Sequence, residues 1–119
     1  MVAYPSKPVT QEDLARFVAA AQDVVDAYYG KKAPNQIDTR TPRIPQLQVD
    51  PGGKKYARIV ARDPGVELGG SAWAFVELAT GFILKADGWK RPAPQPRGTI
   101  HDATYGAAYV GPFGPAYLR

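Results

Sequence analysis

Cysteine is absent from this chain of 119 residues, and histidine occurs once, at position 101. A disulfide and a thiolate metal site are therefore excluded, and the carboxylates and the histidine do not have metal-ligand spacing. No apolar run approaches transmembrane length, and the N-terminus lacks the apolar core of a signal peptide. We expect no metal, no cofactor and no membrane association, and a cytoplasmic protein.

Motifs that carry catalysis or phosphate binding are missing as well. Residues 67–71 contain glycines but lack the lysine and the strand–turn–helix setting of a phosphate-binding loop. Ser71 lies in no nucleophile elbow. His101 beside Asp102 fits a structural pair as well as a general base or a ligand. We therefore predict no catalytic residues and a protein that is not an enzyme.

Proline and glycine are abundant, with 12 of each, and the formal net charge is +4 at pH 7. The length predicts a single domain over residues 1–119 that buries a core without disulfides. A basic balance of this size permits acidic partners without requiring them.

One amphipathic helix is predicted over residues 10–29. Thr10 is a suitable N-cap, Glu12 and Asp13 lie in the first turn, and Gly30 is the expected stop. The apolar side chains of this helix form one stripe, which either packs on a sheet or forms the helix–helix contact of a homodimer. Apolar side chains at three- and four-residue spacing form this stripe: Leu14, Phe17, Val18, Ala21, Val24, Val25 and Tyr28.

The rest of the chain predicts an α+β fold, in which this helix packs on a small antiparallel β-sheet. Side chains alternate along the first strand, so Arg58 and Arg62 share a face. A sheet this small leaves one face poorly covered, which also favours a homodimer. Residues 55–119 form this β-rich body, with strands over 55–62, 71–79 and 82–86 and shorter ones near 99–101 and 116–118.

Long proline-rich segments are expected to be extended. An arm over residues 1–9 precedes the helix, and residues 31–54 wrap the outside of the body, with a short edge strand within 44–49. Residues 89–98, Trp-Lys-Arg-Pro-Ala-Pro-Gln-Pro-Arg-Gly, are expected to form a stiff arm of polyproline II type.

The arm of residues 89–98 is the candidate contact surface. In a nucleic-acid-binding protein, cations meet phosphates and an indole stacks on bases. The same residues fit an ordered surface loop in which Trp89 closes the edge of the core. The candidate nucleic-acid-binding residues are Trp89, Lys90, Arg91 and Arg97, with Arg58 and Arg62 extending the patch.

Three functions remain open. A nucleic-acid-binding accessory protein predicts binding that weakens steeply with salt. A protein-interaction module, such as an inhibitor of a host factor or a structural homo-oligomer, predicts a complex that is indifferent to moderate salt. A binder of a small anionic ligand, in a pocket of Arg, Trp and Tyr, predicts a ligand-dependent rise in melting temperature.

The C-terminal half also carries an ordered pattern: an aromatic strand, a Thr-Gly turn, Trp-Lys-x-Pro, Arg-Gly-x-Ile-x-Asp and Tyr-Leu. This order resembles a family of small proteins of tailed bacteriophages and prophages. The resemblance implies a viral context and supplies no mechanism. The residues that carry it are Phe75, Val76, Thr80, Gly81, Lys85, Trp89, Lys90, Pro92, Arg97, Gly98, Ile100, Asp102, Gly114, Tyr117 and Leu118.

Overall fold

A computed structural model of the chain describes residues 4–32, 44–50, 53–62, 70–112 and 114–115. Within these ranges one α-helix packs on a five-stranded antiparallel sheet, which confirms the α+β prediction. The strands follow one another in space in chain order. The elements are α1 (Gln11–Lys32), β1 (Gln46–Asp50), β2 (Tyr56–Arg62), β3 (Ser71–Glu77), β4 (Phe82–Ala86), β5 (Pro92–Thr99), a 3-10 helix (Ala107–Tyr109) and the hairpin β6 (Val110–Gly111) and β7 (Gly114–Pro115).

Helix α1 begins where its capping residues predict. The hydroxyl of Thr10 accepts the Asp13 backbone N–H at 3.1 Å, and the Asp13 carboxylate accepts the Thr10 N–H at 3.0 Å. This reciprocal pair is a capping box, and the backbone hydrogen bond from Thr10 lowers the pKa of the Asp13 carboxyl. The predicted stop at Gly30 was wrong, because the helix continues to Lys32. A helical glycine costs only about 1 kcal/mol, and lysines favour the C-terminal end of the helix dipole.

The apolar stripe of α1 packs on one face of the sheet. Phe17, Ala21 and Val25 are fully buried there. The sheet side of this core comes from alternate residues of the three central strands: Ala57, Ile59, Ala74, Val76 and Ile83. The apolar stripe therefore packs on the sheet of its own chain, which is the first of the two predicted alternatives.

The edge strand β1 is tied to α1 by one glutamine. The Gln22 side-chain amide donates to the Pro45 carbonyl at 2.9 Å, and its oxygen accepts the Leu47 N–H at 2.7 Å. The amide thus replaces a neighbouring strand and occupies backbone groups that would otherwise invite another chain. The short edge strand predicted within 44–49 is confirmed as Gln46–Asp50.

The proline-rich arm is a strand of the sheet. Pro92–Thr99 pairs with β4 as the opposite edge strand, with register shifts at Ile83/Leu84 and Leu84/Ala86. The prediction of an arm outside the body was therefore wrong for these residues. An edge strand tolerates prolines, since only one of its sides needs donors for the ladder.

Two smaller strand predictions have different outcomes. The strand expected near 99–101 is the end of β5, after which the Ile100 N–H donates to the Gly81 carbonyl at 2.9 Å. The strand expected near 116–118 lies outside the described residues, as does most of the wrap predicted over 31–54. The predicted pairing of 55–62 with 71–79 is confirmed by β2 and β3.

The N-terminal segment runs beside the turn between β3 and β4. The Lys7 N–H donates to the Thr80 carbonyl at 3.1 Å, and the Val9 N–H donates to the Leu78 carbonyl at 2.9 Å. The part of the predicted 1–9 arm that is described therefore lies against the sheet. The described α-helix is not long and apolar enough to cross a membrane.

Candidate functional site

A row of directly paired side chains crosses the sheet face opposite α1. One residue from each strand contributes, because β1 to β5 pair in register at these positions. Directly paired residues lie on the same face of a sheet, and the neighbours of Arg58 and Phe75 on both sides belong to the core that packs against α1. The row is Asp50, Arg58, Phe75, Leu84 and Pro96. It places a cation between a carboxylate and an aromatic ring.

Arg58 joins this row to the loop of residues 87–91, between β4 and β5. Its guanidinium forms an ion pair with the Asp50 carboxylate, and its Nε donates to the Trp89 carbonyl oxygen at 2.8 Å. Its Cζ lies 4.5 Å from the centre of the Trp89 ring and 5.9 Å from that of Phe75. The charge of Arg58 is thus neutralised, and its side chain holds Trp89.

A backbone hydrogen bond closes the loop of residues 87–91, and its residues are exposed. The Asp87 N–H donates to the Arg91 carbonyl at 2.7 Å, and Gly88 adopts φ +105°. Trp89 is 42% exposed, although its backbone and one ring face are held by Arg58. Lys90 and Arg91 are exposed and form no ion pair with any residue in the described ranges. We call Trp89, Lys90, Arg91 and the supporting Arg58 the Trp89 platform.

Further aromatic and cationic groups lie at the start of β2. Tyr56 shares the face of Arg58, and its ring meets that of Phe75 edge-on with centres 6.3 Å apart. The ammonium of Lys55 lies 5.4 Å from the centre of the Tyr56 ring, and Lys54 and Lys55 are exposed. Cations therefore also lie at the start of the strand that carries Arg58, beside the β3–β4 turn and at the other end of the sheet from the loop of residues 87–91.

Two of the predicted site residues lie apart from the Trp89 platform. Arg62 shares the strand face of Arg58, as alternation predicts, but four residues of extended chain separate the two by about 13 Å. Arg97 lies at the irregular pairing of β5, where Leu84 pairs with Pro96 and Ile83 with Gly98. Its Nε is buried without a hydrogen-bond partner among the described residues. Arg97 is therefore built into the sheet edge.

Two partners in this site were missed from the sequence, namely Asp50 and Phe75. Both act on Arg58 through strand pairing, and their positions depend on the register of three strands. Opposite charges on neighbouring strands are a usable signal only after the register is known. The structure places Arg58 against Trp89, which is followed in the same loop by Lys90 and Arg91, and Arg58 acts there as a support.

A pocket of about 430 Å³ opens elsewhere, between the start of α1 and the end of β1. Its lining contains one carboxylate and no cationic side chain, so it does not match the Arg–Trp–Tyr pocket expected for a small anionic ligand. The lining residues are Gln11, Leu14, Ala15, Val49, Asp50, Gly53, Ala57 and Leu78.

His101 and Asp102 make structural hydrogen bonds. His101 Nε2 lies 2.8 Å from the Lys7 carbonyl oxygen, which ties the N-terminal segment to the sheet. One carboxylate oxygen of Asp102 accepts the backbone N–H groups of Thr104 and Gly106, both at 2.9 Å. Among the described residues no group of three or more acidic or histidine side chains could hold a metal ion.

Comparison with known proteins gives one result. A family model described as "Family of unknown function (DUF7717)" matches residues 3–113. No curated protein and no solved structure matches the chain.

Proposed function

The chain belongs to DUF7717, a family of unknown function, and we propose that it is a non-catalytic protein that binds nucleic acid through the Trp89 platform. One observation carries the proposal. Trp89, a residue that is 42% exposed, has its ring held against Arg58 in a closed loop, beside two exposed cations without an ion pair in the described chain. Aromatic rings beside cations are a common means by which proteins bind single-stranded nucleic acid without reading its sequence.

The contacts that fix the Trp89 side chain support a binding role. A side chain that is ordered only on binding costs about 0.5–1.5 kcal/mol of affinity. The Arg58 guanidinium contacts both the ring and the backbone carbonyl of Trp89, and Asp50 and β2 fix the guanidinium in turn. The ring is therefore in place before a ligand arrives, and this cost is largely avoided.

The local charge favours an anionic partner. Lys54, Lys55, Lys90 and Arg91 are exposed, whereas the charges of Arg58 and Asp50 cancel. Within the described ranges, two carboxylates oppose these four cations. Asp87 lies in the loop itself, and Glu77 lies across from Tyr56 with its carboxylate accepting a hydrogen bond from Thr80. The remaining excess is positive, which suits a phosphate backbone.

We also infer a biological setting from the sequence pattern of the C-terminal half. Its resemblance to proteins of tailed phages and prophages supports a phage accessory protein that acts in the host cytoplasm. The same exposed tryptophan would serve as the anchor of a protein interface, since Trp is enriched among the residues that dominate such interfaces. Salt dependence separates the two kinds of partner.

The proposal is tested by fluorescence anisotropy with labelled DNA and RNA over a salt series. Each cation that meets a phosphate of a single strand contributes about −0.7 to the slope of log K against log salt. The double variant Lys90→Ala/Arg91→Ala is expected to bind more weakly and to reduce the steepness of this slope by about 1.4.

The matched control is Lys7→Ala/Arg16→Ala. It removes the same net charge from two exposed side chains, one on the N-terminal segment and one on α1. The proposal expects this control to bind nearly as the unaltered protein does. Equal weakening by the two double variants, or no binding at low salt, would contradict it.

A further inference from the structure

We propose that the ligand of the Trp89 platform is a single-stranded nucleic acid, one base of which stacks on the outer face of Trp89. This inference rests on the proposed function and names its substrate class. It depends on which parts of the indole are already in use.

One face of the Trp89 ring is occupied by its own chain. The Arg58 Cζ lies over the ring, 4.5 Å from its centre, and the Nε–H bond to the Trp89 carbonyl holds the two together. Trp89 as a whole residue is nevertheless 42% exposed. The available surface is therefore the face opposite Arg58 and the ring edge.

A ring with one free face does not fit the double helix well. Side chains that wedge between base pairs need two free faces, because they separate one base step and contact both bases. Stacking on one face alone requires a base that has left its own stack. Extracting a base from a duplex costs a few kcal/mol, whereas a single strand presents bases at little cost.

The arrangement also explains why Arg58 is paired with Asp50. Without the Asp50 carboxylate, the Arg58 guanidinium would be free to bind a phosphate of the ligand. It would then move away from the Trp89 ring. The Asp50 carboxylate binds the guanidinium at the sheet surface, where each of the two side chains is 24% exposed. Arg58 is therefore a positioning residue, and phosphate contact is left to the exposed cations Lys90 and Arg91.

The recognition is expected to be tolerant of sequence. A flat ring face meets every base through its π-system, and base–aromatic stacking discriminates weakly among bases. The loop of residues 87–91 offers one ring and two cations, and it contains no Asn or Gln whose amide could read a base edge. We therefore expect similar affinities for single strands of different sequence.

The test compares a labelled single strand of about 12 nucleotides with a hairpin duplex of the same length at one salt concentration, within the 4–16 nucleotides that such folds cover. The single strand is expected to bind at least about 10-fold tighter, because the duplex must yield a base. Trp89→Ala is expected to weaken single-strand binding about 5- to 150-fold, and Trp89→Phe less, since a ring remains. Duplex binding should not change.

Arg58→Lys supplies the positioning test. It keeps the charge but loses the planar fork that contacts Asp50 and the Trp89 carbonyl together. Single-strand affinity is expected to fall while the salt slope stays unchanged, because no phosphate contact is lost. Circular dichroism checks that each variant is folded, which is expected because neither Trp89 nor Arg58 belongs to the buried core.

Two outcomes overturn the proposal in different ways. If the duplex binds as tightly as the single strand, or if Trp89→Ala has no effect, the stacking proposal fails. In that case salt-sensitive binding that depends on Lys90 and Arg91 would still support the proposed function. If neither nucleic acid binds at low salt, both fail together.

Discussion

Phe17→Ala is expected to lower the free energy of unfolding by about 3–5 kcal/mol, the cost of truncating a buried phenylalanine. Phe17 is fully buried where α1 meets the sheet, and it belongs to the core cluster that includes Ile83. A domain of this size is stable by about 5–15 kcal/mol, so the variant keeps little reserve. Urea denaturation followed by circular dichroism measures the change.

Tyr105→Ala is the control for this loss. Tyr105 is an aromatic residue of similar size, 48% exposed, whose ring lies 5.8 Å from the Arg16 guanidinium. We expect its truncation to cost less than about 1 kcal/mol, as surface substitutions usually do. Comparable losses in the two variants would show that Phe17 does not occupy the centre of the core.

Gly106→Ala is expected to cost about 2–5 kcal/mol, the sum of two physical terms. Gly106 adopts φ +94°, and a non-glycine residue in the left-handed region costs about 1–2 kcal/mol. An added Cβ would also lie 2.7 Å from Phe17 Cδ1 and 3.0 Å from Ile83 Cδ1. Overpacking of this kind costs about 1–3 kcal/mol, and the same urea titration measures the total.

Gly88→Ala separates these two terms. Gly88 has a similar backbone conformation, with φ +105°, but an added Cβ would meet nothing within 4 Å. Its substitution should therefore show the backbone cost alone, and the difference from Gly106→Ala measures the crowding of Phe17 and Ile83. Equal losses at both glycines would contradict the close approach of the Gly106 backbone to the core.

A double variant that combines Phe17→Ala with Gly106→Ala measures the energetic coupling between the two positions. The truncated phenylalanine leaves space that the new methyl group can enter, so the double variant should lose less stability than the two single variants summed. A purely additive result would place the two positions out of contact.

Local patterns were sufficient for much of the fold. The apolar stripe of α1 and its Thr10 cap are both set by residues within a few positions of one another. The three central strands follow in the same way from alternation in the first, from apolar runs in the next two and from the Gly81 turn between them. Local rules also explain the two errors: Gly30 was given more weight than its small helix penalty warrants, and the prolines of 92–96 obscured an edge strand.

The candidate site was less accessible from sequence. The sequence alone groups Trp89, Lys90 and Arg91, because they are adjacent in the chain. Alternation alone places Arg58 and Arg62 on one face of their strand. The role of Arg58 depends on Asp50 and Phe75, which reach it through the pairing of β1, β2 and β3. Such pairing is a property of the whole sheet. The sequence therefore identified Arg58 as a cation but could not show that its charge is neutralised.

The most direct test of the Trp89 platform is a tryptophan fluorescence titration with a single-stranded oligonucleotide. The chain has two tryptophans, Trp73 and Trp89. Trp73 is buried at 6% exposure and donates its indole N–H to the Pro112 carbonyl at 3.4 Å, so it serves as an internal reference. We predict saturable quenching in the unaltered protein and none in Trp89→Phe, whose remaining emission comes from Trp73. Quenching that persists in Trp89→Phe, or binding by anisotropy without any quenching, would contradict stacking on Trp89.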